Sequence, residues 1–174
     1  MKTIVKLIPW ALALFINGVF LDSLRFKFTG SPTTEHIFTT LKEWSGVGLF
    51  HPAGPWIVGG AELVASLLLL IVPVILVLIG LKRTAHGVQW LGALVALGVM
   101  SGAIIFHLFT PLGIEVPLPD SFDDPGGPTF SPALFYTACA TWASAAILLV
   151  WRRDSIPAWV PVLGRKPALG DPTA

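Results

Sequence analysis

Residues 84–114 contain no Lys, Arg, Asp or Glu, and a second charge-free stretch covers residues 125–151. Runs of this length leave few folds open. A bilayer core of ~30 Å needs about 20 mostly apolar residues per helix. The chain supplies such a segment four times, at about 4–21, 56–81, 88–109 and 130–151. Only 12% of its 174 residues are charged, roughly half the ~25% of a soluble domain. Mean hydropathy is +0.78. Helices satisfy their own backbone hydrogen bonds in lipid, and the alternation of a barrel strand is absent. The expectation is an all-α integral membrane protein. Residues 1–152 form a four-transmembrane-helix bundle, and 153–174 a Pro-rich cytoplasmic tail.

Charge placement sets the topology. Lys2 and Lys6 precede the first span, Lys82 and Arg83 fall in the short turn 82–87, and Arg152, Arg153, Arg165 and Lys166 follow the fourth. Eight of the eleven basic residues therefore share one side. By the positive-inside rule both termini are expected to be cytoplasmic. The first span has basic residues ahead of an apolar core, as a signal peptide does, but residues 17–22 offer no small-x-small cleavage pattern, so it reads as retained. A net charge of +1 gives no reason to expect a nucleic-acid partner. The single cysteine, Cys139, excludes CxxC redox chemistry.

The two outer loops differ. In residues 22–55, Ser31-Pro32 reads as an N-cap followed by proline at the first helical position. Ile37, Phe38, Leu41 and Trp44 then recur at helical spacing up to Gly46. This predicts a short amphipathic helix, lying on lipid or serving as a lid. The loop 111–132 is rich in Pro, Gly and acidic residues and is expected to be irregular.

Glu62 is the one acidic residue of the second span. An acidic side chain within a span costs several kcal/mol unless paired, hydrated or protonated. At ~1.5 Å per residue it lies about 9 Å below the outer interface. His107, Asn17 and Tyr136 fall in the same slab, and Ser66 shares the helix face of Glu62. One reading is a polar pocket for a small molecule or proton, in which Glu62 and His107 pass protons during quinol oxidation. The other is an interhelical hydrogen-bond network that sets the register of the bundle. Haem is not expected, since His107 is the one embedded histidine, and no metal-ligand spacing is present. Gly98 and Gly102 form a small-xxx-small face on the third span for packing within the bundle or against a partner helix.

The segments Ser-Leu-Arg-Phe-Lys-Phe-Thr-Gly at 23–30, Gly-Ala-Glu-Leu at 60–63 and Phe-His-Leu at 106–108 resemble the DoxX-like family of small four-helix bacterial membrane proteins. The resemblance covers roughly residues 9–152. It implies the four-span architecture, with Lys27 and Glu62 as the matching polar positions. Family members include subunits linked to quinone reduction by thiosulfate and components of membrane redox assemblies. Thiosulfate chemistry does not carry over, because no cysteine or cofactor set here suits it.

Two functions follow as expectations. The first is a non-catalytic accessory subunit of a larger electron-transport or photosynthetic-type membrane complex, in contact with lipid and other membrane subunits. The second is a quinone-interacting redox protein using the Glu62/His107 layer. The thin chemistry of one carboxylate and one imidazole favours the first.

Overall fold

The computed structural model describes residues 2–156, with side chains from residue 7 onward. Residues 157–174, most of the expected tail, lie outside the described residues. Within them, four helices are long and apolar enough to cross a membrane: Leu7–Phe28, Ala53–Leu78, Lys82–Phe109 and Ala133–Trp151. These are spans one to four of a multi-pass membrane protein. Large apolar side chains such as Leu78 and Phe109 point outward, 81% and 73% exposed, as lipid contact requires. The core is built largely from small residues, Ala13, Ala65, Ala93, Ala96, Ala138 and Ala145, around Phe20, Leu69 and Leu148. Small side chains let helix backbones approach closely where lipid supplies no hydrophobic driving force.

The bundle has a loop end, carrying residues 29–52 and 110–132, and a turn end, carrying residues 79–81, the start of span one and the end of span four. Two span boundaries differ most from expectation. Span one runs on past Leu21 to Phe28, so Ser23, Arg25 and Lys27 belong to the helix rather than to a loop. Basic side chains in its last turn suit the negative end of the helix dipole. Lys82 and Arg83 open span three instead of forming the turn. The chain reverses earlier, at Gly80, whose φ of 86° is the left-handed conformation glycine tolerates best. There Leu81 N–H donates to Leu76 O at 2.8 Å and Gly80 N–H to Val77 O at 3.1 Å, a Schellman stop.

The loop-end helix spans Pro32–Ser45. Ser31 Oγ accepts from Thr34 N–H, and Gly46 ends the helix at φ 71°. Phe38 and Leu41 are buried and Trp44 is exposed, so the apolar face sits on the bundle. The loop 110–132 is more ordered than its composition suggests. Val116–Pro117 (β1) pairs antiparallel with Phe130–Ser131 (β2). Ser121 Oγ accepts from Thr129 N–H at 2.9 Å and bonds Leu118 O at 2.9 Å, closing the loop between the strands. Thr33 Oγ1 donates to Pro117 O at 2.8 Å, tying this ladder to the loop-end helix.

Span two is not a uniform α-helix. Residues Leu67–Ile71 take the wider π form, with Val72 N–H bonded to Leu67 O. Pro73 follows and has no N–H to give the Leu69 carbonyl in an α ladder. Gln89 of span three supplies the donor, Nε2 to Leu69 O at 3.2 Å. Gly92, one turn along, makes room for this approach. A Cβ there would lie 2.8 Å from Leu69 N and 2.9 Å from Leu68 C. The close helix contact on span three is thus at Gly92, not at the expected Gly98 and Gly102, where an added Cβ meets nothing within 4 Å. Gly92→Ala should lower unfolding stability in detergent by about 1–3 kcal/mol, the usual cost of overpacking. Gly98→Ala should leave it unchanged, and equal thermal melts for both variants would refute this assignment.

Candidate functional site

Spans one and two meet closely at the loop end. Gly59 lies against the rings and branches of Phe28 and Leu24, where a Cβ would come within 2.6 Å of Phe28 Cε1. Phe28 stacks on Trp56 with centroids 5.0 Å apart. One turn deeper, this approach brings together three polar side chains. Ser23 and Lys27 are four residues apart on span one and so share a face. Both reach Glu62 of span two. Lys27 Nζ donates to Glu62 Oε1 at 3.0 Å and also to Ser23 Oγ, whose hydroxyl donates to Glu62 Oε1 at 3.4 Å.

Glu62 is 1% exposed, and the Lys27 side chain 14%. This is a buried ion pair. Removing two charges from water costs several kcal/mol each, which only close geometry and added hydrogen bonds repay. Both hydrogen bonds to the carboxylate converge on Oε1. Glu62 Oε2 and the Ser66 hydroxyl, one turn deeper on the same face, are buried without a hydrogen-bond partner. The cluster therefore combines a structural clasp with one carboxylate oxygen and one hydroxyl held in reserve.

The structure gathers the expected layer only in part. Lys27, Glu62 and Ser66 lie together, and Ser23 joins them although the sequence reading passed over it; its spacing from Lys27 was the available signal. Asn17 is buried, but its Nδ2 donates within its own helix, to Ala13 O at 2.9 Å. His107 is buried but is not a partner of Glu62. Its Nδ1–H donates to Gly113 O at 2.6 Å, and its ring sits edge-on to Phe135, so it anchors the loop after span three. Tyr136 leaves the layer altogether, 61% exposed on the outside of span four. The carboxylate that a histidine does meet is Glu35, 2.5 Å from His51 Nε2.

A second polar layer lies at the turn end. Arg152 Nε donates to Gln89 Oε1 at 2.8 Å, which orients the amide that caps Leu69 O. Burial pushes the Arg152 guanidinium below its ordinary pKa, and an arginine side chain in a protein keeps its charge. Between the layers, Trp142 Nε1–H finds Ser101 Oγ at 2.9 Å, satisfying a donor that lipid cannot. Surface concavities of about 330 and 540 Å³ lie on span four around Ile147 and between the loop-end helix and Phe122. Neither is lined by Glu62, Lys27 or Ser23. Comparison with protein-family models, curated proteins and solved structures returns no match.

Lys27→Met strands the Glu62 charge and should destabilise the protein by about 3–5 kcal/mol. Adding Glu62→Leu in the same chain should restore most of that loss, because an apolar pair often replaces a buried ion pair without penalty. Unfolding in detergent reads both. A double variant as unstable as the single one would show that the ion pair is not what holds spans one and two.

Proposed function

We propose that this chain is a small, non-catalytic subunit of a larger bacterial inner-membrane complex of electron-transport or photosynthetic type, of DoxX-like architecture, with both termini cytoplasmic. One observation carries the reading: the bundle's two embedded groups suited to proton transfer are committed to its own architecture. Glu62 is clasped by Lys27 and Ser23, and His107 by a backbone carbonyl. The Lys27–Glu62 contact also joins the two polar positions that the DoxX-like resemblance singles out. The open Gly98 and Gly102 surface of span three suits a neighbouring subunit's helix, which small residues would let approach closely. The prevalence of basic residues at the turn end and acidic residues at the loop end supports the orientation.

A second reading, a quinone-interacting redox protein, draws on the free Glu62 Oε2 and Ser66 Oγ, which suit a polar headgroup or a transferred proton. One experiment separates the two. After gentle detergent extraction from the native membrane, native mass spectrometry should find this chain with larger redox or light-harvesting subunits. Glu62→Gln, which keeps the hydrogen-bonding shape, should still assemble with them. Recovery alone or as a homo-oligomer carrying a quinone-sized mass would overturn the subunit reading in favour of the second.

A further inference from the structure

The turn end holds a buried positive charge that takes no part in the Lys27–Glu62 clasp. Arg152 is 8% exposed, and its Nη2 is buried without a hydrogen-bond partner. Among the described residues no carboxylate pairs with it. Other basic side chains lie at the same end of the bundle. Lys82 and Arg83 stand in the first turn of span three, and His86, one turn on, lies within charge–charge range of Arg152. Arg153 sits in the turn Arg153–Ser155, which packs on span three. The N-cap residue Leu81 supplies no side-chain hydrogen bond. Lys82 N–H donates to Gly80 O and Ala85 N–H to Leu81 O, both at 3.0 Å, so the amides of Arg83 and Thr84 are those left without a side-chain cap at the positive end of this 28-residue helix. The one described carboxylate at this end, Asp154, is 94% exposed and 3.9 Å from Arg153.

We propose that this end of the bundle binds the phosphate of an anionic phospholipid headgroup, with Arg152 as its central donor. A guanidinium matches phosphate oxygens with parallel charge-assisted hydrogen bonds, and a helix N-terminus adds oriented amides. Basic pockets between spans at a membrane face take such headgroups. The depth selects lipid over free phosphate: Arg152 directly follows Trp151, the last residue of span four, at the level where lipid phosphates lie.

The test uses the full-length chain in non-ionic detergent, with native mass spectrometry and thermal unfolding read in parallel. Phosphatidylglycerol should be retained at one molecule per chain and raise Tm, while phosphatidylcholine and inorganic phosphate should do neither. Arg152→Gln should weaken phosphatidylglycerol retention roughly tenfold, as loss of a charge-assisted pair implies. The exposed pair Lys82→Gln with Arg83→Gln should weaken it less, with no loss of fold, and it carries the test if Arg152→Gln does not fold. Equal retention by wild type and these variants overturns the proposal. So does equal stabilisation by phosphatidylcholine or by inorganic phosphate, or a stability loss in Arg152→Gln that is the same with and without phosphatidylglycerol.

Discussion

Lys27 and Glu62 are largely shut off from solvent, and the geometry of the loop end follows from keeping them together. Their 3.0 Å contact needs span one to stay helical through Phe28, so that Lys27 reaches inward from its last turn. It also needs the close crossing at Gly59, where Phe28 and Leu24 fill the space a side chain would take. The loop-end helix then lies over this crossing, with Phe38 against Gly54 at the start of span two. A charge pair that costs energy to bury thus acts as a register mark, since sliding either helix by one residue turns one partner toward lipid.

The turn end solves a different problem with the same logic. Pro73 within span two leaves the Leu69 carbonyl without its usual donor, and a free carbonyl in hydrocarbon costs several kcal/mol. The π segment, the glycine at 92, the Gln89 amide and Arg152 form one chain of compensation running through spans two, three and four. π segments often occur at functional sites, and here the segment links the bundle core to the basic surface at the turn end. The two polar layers, at opposite ends of an apolar core, fix how the four spans assemble.

Much of this was legible from residue order. The long apolar runs located the spans, and Ser31-Pro32 with Gly46 located the loop-end helix to within a residue. Glu62 was marked as inward-facing by its cost in lipid. Other features were hidden for physical reasons. The end of span one was obscured because Arg25 and Lys27 lower local hydropathy, although a basic last turn favours a helix. The Glu62–His107 pairing failed because similar depth on two helices says nothing about which way each helix is rotated. The Gly98 and Gly102 pattern is a true small-residue face, yet rotation places Gly92 at the contact instead.

Residue order by itself determined that this chain is a membrane bundle of four helices, because hydrocarbon admits only apolar segments of sufficient length that satisfy their own backbones. Tertiary structure alone decided the pairings: Lys27 and Ser23 with Glu62, Gln89 with Leu69 and Arg152, His107 with Gly113. Those depend on the rotation and closeness of neighbouring helices, quantities set by packing across the bundle that no single segment encodes.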